Sequence, residues 1–307
     1  MFAFVMVLFI STMLNLVQNN IPFFIVFVFF VFGCCYSLYR VSVEEVIKQP
    51  KVTVFSKEAI LLFLMVSLGS VLAYGIHIVL GCPVLGAGVG GLLGAIFIKK
   101  YQVPIYCGTF VGMSSPLLFG MWQFALATIF ASIIYVLVRD LFNGYGGKLG
   151  TIALSGALIS TLVARGNFAE GSEYLLMEQL IIIGFSALAA LLTYILSIRF
   201  KYGPVIASAG VGVLAGLTLP FLIPDIGHTY AVVVIGASFV GMSGTNRFND
   251  EVPIFIAGVL FGLIFVFSAP YFGGAGGKLG TIAFVSVLSV RGIMMLHERY
   301  IPKKTTC

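Results

Sequence analysis

Two lysines, Lys148 and Lys278, stand in the same octapeptide, GGKLGTIA, which runs from Gly146 to Ala153 and again from Gly276 to Ala283. The glycines Gly146, Gly147, Gly276 and Gly277 permit positive φ and close backbone approach, and the lysine adds a cation. Thr151 and Thr281 fall in the first turn of the helix expected to follow. Free N–H groups at a helix start beside an ammonium make an anion site, or a place where a carbonyl is polarised. The string is not a nucleotide-binding P-loop, because it lacks the GxxxxGK[ST] spacing and a strand before it. The structural alternative for the lysines is snorkelling, with the stem in lipid and the ammonium at the headgroups. A lysine held below the headgroups is costly, and that cost points to function.

A second string repeats in step with the first. FVGMSS, from Phe110 to Ser115, answers FVGMSG, from Phe239 to Gly244, about 130 positions later, as the octapeptides do. Each copy ends a short apolar segment, and Pro116 stops the first from continuing as a regular helix. Ser114, Ser115 and Ser243 there either cap a following helix or touch a solute in a watery cavity. The candidate binding residues are therefore Ser114, Ser115, Gly146, Gly147, Lys148 and Thr151 from the first half. The second half offers Ser243, Gly276, Gly277, Lys278 and Thr281.

Elements that carry such strings must lie in a membrane. Of 307 residues 60% are hydrophobic and 9% charged, with a mean hydropathy of +1.12, against about 25% charged residues in a soluble domain. The net charge of +6 comes from Lys and Arg scattered through short loops. That is a topology signal rather than a nucleic-acid surface. Five cysteines and three histidines show no metal-ligand spacing, so neither a metal nor a cofactor is expected. No Asp or Glu falls in the middle of an apolar span. A midplane carboxylate relay is therefore unsupported, as are the residue sets of acid–base or nucleophilic catalysis, and no enzyme is expected.

The organisation expected is an all-α polytopic membrane protein of about twelve transmembrane segments. Residues 1–58 form a two-helix preface, from Met1 to about Val17 and from Ile21 to Tyr39, with a polar linker from Arg40 to Glu58. Residues 59–165 and 178–298 form two five-helix repeats with short or broken helices, and 299–307 a basic tail. The third segment of each repeat is the short one. Val103 to Ser114 makes only about 18 Å of helix against a hydrocarbon core of about 30 Å. Positive charge favours full crossing: with a cytoplasmic N-terminus, every Lys and Arg except Arg165 and Lys278 then falls inside. Five crossings per repeat force the second to enter from the opposite face, which is inverted topology with both termini cytoplasmic. Gly86, Gly90 and Gly94, with Gly212 and Gly216, follow the small-xxx-small pattern of tightly packed membrane helices.

The five-plus-five plan, with an NGYGG turn before the last helix of the first half, resembles the urea-transporter layout over Asn143 to Thr151. The lysine and its glycine pair are not part of that pattern. The function expected is passage of a small polar solute, an anion or a urea-like amide, across the cytoplasmic membrane at the interface of the two repeats. Lysines would attract the solute, hydroxyls would replace its water, and glycine backbone would allow its approach. A flippase or membrane-embedded transferase that binds a phosphorylated lipid is the alternative from another class, and an accessory subunit without a pathway is a third. Partners are the solute and the lipid bilayer, not nucleic acid, and a homo-oligomer is compatible.

Overall fold

A computed structural model describes residues 21–48, 56–169, 171 and 174–300, together with 10, 12 and 13. The first apolar run, apart from Ile10, Thr12 and Met13, lies outside the described residues, as do residues 49–55 of the linker, Glu170, Glu173 and the tail from 301. Among the described residues eleven α-helices follow in order: α1 (Ile21–Lys48), α2 (Lys57–Leu80), α3 (Pro83–Phe97), α4 (Gln102–Gly112), α5 (Met121–Val138), α6 (Lys148–Ala164), α7 (Leu176–Ile198), α8 (Pro204–Leu222), α9 (Gly227–Gly241), α10 (Glu251–Phe267) and α11 (Lys278–Tyr300). Among the described residues there is no strand, only an isolated bridge between Ala169 and Gly273.

Local signals account for the boundaries. Ser56 caps α2 by accepting the Ala59 N–H at 3.1 Å, and Gly81, at φ 65°, closes its other end on His77 O. Pro83 and Pro204 open α3 and α8 at positions that need no N–H donor. The polar stretch after Tyr39 is helical as far as Lys48, where α1 ends. Arg40 and Glu44 pair one turn apart at 3.0 Å, and such a pair supports helix in a polar sequence.

Among the described residues six helices, α1, α2, α5, α7, α8 and α11, are long and apolar enough to cross a membrane, and α3, α6, α9 and α10 are shorter apolar helices. Large apolar side chains such as Leu64, Leu68, Leu188, Leu192, Leu214 and Leu217 face outward on α2, α7 and α8. Apolar surface on that scale belongs in lipid, so the chain is membrane-embedded.

Packing repeats between the halves. Helix α2 lies against α3, α4 and α5, and α7 lies against α8, α9 and α10. Tyr74 of α2 donates to Phe119 O at 3.3 Å, and Tyr194 of α7 donates to Phe248 O at 2.7 Å. The halves meet along α3 with α8 and α6 with α11, while α1 packs on α11. The small-residue positions are contact points as expected: Gly94 faces Ile105 of α4, and Gly212 faces Ile235 of α9. At the start of α6 and α11 the two halves are in close contact, and a Cβ on Gly150 would overlap Gly280 Cα.

Candidate functional site

Both repeated strings come together at the contact between the halves, and they do so crosswise. The FVGM helices stop early, α4 at Gly112 and α9 at Gly241, leaving Ser114 and Ser243 fully buried just beyond. Ser114 Oγ donates to Val111 O at 2.8 Å and accepts the Gly276 N–H of the other half at 3.2 Å. Ser243 Oγ donates to Val240 O at 2.7 Å and accepts the Gly146 N–H at 3.2 Å. One residue on, the Ser115 N–H donates to Gly274 O and the Gly244 N–H donates to Gly144 O, both at 2.9 Å. Each serine string thus holds the glycine turn of the opposite half.

The glycines are required by this contact. Gly147 and Gly277 sit at φ 83° and 90°, where a side chain is strained. A Cβ on Gly146 would overlap Phe239 O, and one on Gly276 would crowd Phe110 O and Ser114 Oγ. Thr151 and Thr281 are fully buried and bond back to Gly147 O and Gly277 O, at 3.4 and 3.2 Å. Their hydroxyls brace the first turns of α6 and α11.

The lysines are anchored inside the fold. Lys148, 6% exposed, donates from Nζ to Arg139 O at 2.6 Å and to Asn143 Oδ1 at 3.1 Å. Half-buried Lys278 donates to Ser268 O at 2.8 Å and to Ala269 O at 3.4 Å. Arg139 and Ser268 cap the C-terminal ends of α5 and α10, where carbonyls lack helical partners and carry partial negative charge. Each ammonium therefore neutralises the end of the preceding helix, and these bonds use two of its three donors.

Two cavities open beside these turns. One, of about 220 Å³, is lined by Lys278, Gly277, Phe272, Met113, Pro83 and Val232 among others. The second, of about 140 Å³, is lined by the corresponding Lys148, Gly147, Phe142, Met242, Pro204 and Val103. Two residues line both cavities, Phe110 and Phe239, and their ring centroids lie 4.4 Å apart at a 40° tilt. Tyr106 adds a third ring, edge-on, at 4.6 Å from Phe110 and 6.2 Å from Phe239. Its hydroxyl lies 2.9 Å from Ser208 Oγ, which in turn lies 2.7 Å from Ser238 Oγ.

Comparison with family models, with curated proteins and with solved structures found no match.

Among the residues singled out in the sequence, Gly277 and Lys278 line one cavity and Gly146, Gly147 and Lys148 the other, while Ser114, Ser243, Thr151, Thr281 and Gly276 lie in the contact between the halves and line neither. Ser115 contributes its backbone. What sequence reasoning missed is the Phe pair, although the same residue opens both FVGM strings. It also missed Glu45 of α1. That carboxylate pairs with Arg247 and accepts the Phe142 N–H, while Arg247 donates to Asn143 O at 3.0 Å and lies 4.5 Å from the Tyr145 ring. No sequence signal links positions so far apart.

A larger cavity of about 490 Å³, between α7 and α8, is an open groove of aliphatic side chains with Phe185 and Thr218, and carries no cation for a phosphate. Among the described residues no group of three His, Cys, Asp or Glu gathers as metal ligands would.

Proposed function

We propose that this protein is a membrane transport protein, a channel or transporter, that passes a small polar solute between its two halves. The reading takes residues 59–165 and 178–298 as inverted-topology repeats within about twelve spans, in the cytoplasmic membrane with both termini inside. The observation that carries it is the pair of cavities lined by corresponding residues of the two halves and meeting at Phe110 and Phe239. In an inverted pair, corresponding cavities face opposite sides of the membrane, which is what a path across it needs. The charge distribution supports the same plan, since every Lys and Arg except Arg165 and Lys278 then falls on the inner face.

In this reading each cavity takes the solute from one side. The remaining Nζ donor of Lys148 or Lys278 meets an acceptor on the solute, an anion or a carbonyl. The glycine backbone lets it approach without a side chain in the way. Lateral access for a phosphorylated lipid finds less support, because the wide groove between α7 and α8 has an aliphatic wall.

Two measurements test the proposal. Cysteines introduced at Gly144 and Ala169, mapped by mass spectrometry against the native thiols, are expected to react with an impermeant reagent from opposite sides. Reaction of both from one side would exclude the inverted arrangement. Purified protein in proteoliposomes is expected to speed the flux of at least one small anion or neutral amide above that of protein-free vesicles. Rates equal to the vesicle background across the panel would remove the transport reading.

A further inference from the structure

We infer that Phe110 and Phe239 are the selectivity-determining residues of this path, and that the solute crosses between them uncharged; the inference rests on the transport reading. The geometry points to this pair because it is the one element that both cavities share. Any solute moving from the Lys148 cavity to the Lys278 cavity must displace two rings whose centroids are 4.4 Å apart. Both side chains are about 1% exposed, and Tyr106 packs edge-on against each.

Charge is rejected at two stages. Cations meet an ammonium in each cavity, with Arg139 beside Lys148 as well, and no carboxylate lines either space. The attraction of the ring faces for a cation is thereby opposed before it reaches them. Anions are welcome in the cavities but must give up their water at the rings. The hydroxyl chain beside the rings, Tyr106 to Ser208 to Ser238, ends on Ile235 O at 2.6 Å and so is already internally bonded. An ion passing the rings would find no replacement for its hydration shell, whereas a small neutral molecule with one acceptor loses far less. The class of solute is therefore a small uncharged molecule carrying a hydrogen-bond acceptor, and the lysines serve to receive that acceptor.

The rings are positioned by the glycine turns. Gly146 lies directly against Phe239 O and Gly276 against Phe110 O, so each turn of one half sets the backbone behind the ring of the other. This crossed support gives the pair a defined separation. Tyr106 makes the barrier asymmetric, since Ile235 stands at the corresponding position of α9.

The test uses solutes of matched size and different charge in proteoliposomes at pH 8: formamide against formate, and acetamide against acetate, with charge movement compensated by an ionophore. Wild type is expected to pass each amide at least tenfold faster than its carboxylate after subtraction of the protein-free rate. Phe110→Leu and Phe239→Leu, which keep apolar volume without the ring, are expected to pass acetamide severalfold faster and to shrink the amide-to-carboxylate ratio. Phe110→Ala serves as a second variant, with monodispersity in detergent as the check that it folds. Carboxylates that cross as fast as the amides in wild type would overturn the inference while leaving the transport reading in place. The same holds if the folded Phe variants keep the wild-type ratio. Failure of every probe to exceed the vesicle rate would remove both.

Discussion

The two cavities share a backbone plan and differ in what closes over them. At the Lys148 side the turn carries Asn143 and Tyr145, and Arg247 bridges from the second half to Asn143 O, to the Tyr145 ring and to Glu45 of α1. At the Lys278 side the corresponding turn residues are Gly273 and Ala275, and the position matching Arg247 is Leu118. There Phe272 packs on Phe168 at 5.5 Å, and Phe168 lies 6.4 Å from Phe119. One side is fastened by ions and the other by rings. What the two halves have in common is the set of parts whose geometry is backbone-dictated, the glycines, the buried serines and the lysine caps. The rim residues differ between the halves, because the serine-to-glycine contacts do not use their side chains.

The largest effect should come from breaking what the halves have in common. Gly150→Val and Gly280→Val each push a side chain into the opposing glycine's backbone. Each is expected to destabilise by about 3 kcal/mol, the upper end for overpacking, and to lower the melting temperature in detergent by the same amount at both positions. A variant that melts with wild type would mean the two helix starts are not in close contact.

Next come the lysines. Lys148→Met and Lys278→Met remove the hydrogen bonds to Arg139 O and Ser268 O and leave buried carbonyls at the ends of α5 and α10. A loss of about 1–3 kcal/mol is expected for each, together with slower flux of any solute the wild type carries. Lys→Arg at the same sites sharpens the comparison, since a planar guanidinium does not reproduce the ammonium's placement on two carbonyl-type acceptors. Full stability and full flux in Lys→Arg would show that the charge alone matters.

The smallest effect is confined to one side. Glu45→Gln or Arg247→Gln should cost about 1 kcal/mol, as for a partly exposed ion pair. The difference in melting temperature from wild type should narrow as NaCl is raised, because salt screens this pair. The Lys278→Met difference should stay constant over the same range. A salt-independent loss at Glu45 would assign its role to the Phe142 N–H bond instead.

The apolar segments and the doubling of the two strings were legible in the sequence because each depends on near neighbours. An apolar run identifies a span wherever it later packs. The helical stretch from Arg40 to Lys48 was less legible, since an ion pair one turn apart offsets its polarity. Which serine meets which glycine was not readable at all. Ser114 meets Gly276 and Ser243 meets Gly146, not the turns of their own halves, across 162 and 97 positions. Identical strings give identical local preferences, so only the packing of α6 on α11 decides between straight and crossed pairing. For the same reason the tertiary structure alone brought the rings of Phe110 and Phe239 together and carried Glu45 to Arg247. Contacts between distant segments are set by the shapes of whole helices, which no local window of residues contains.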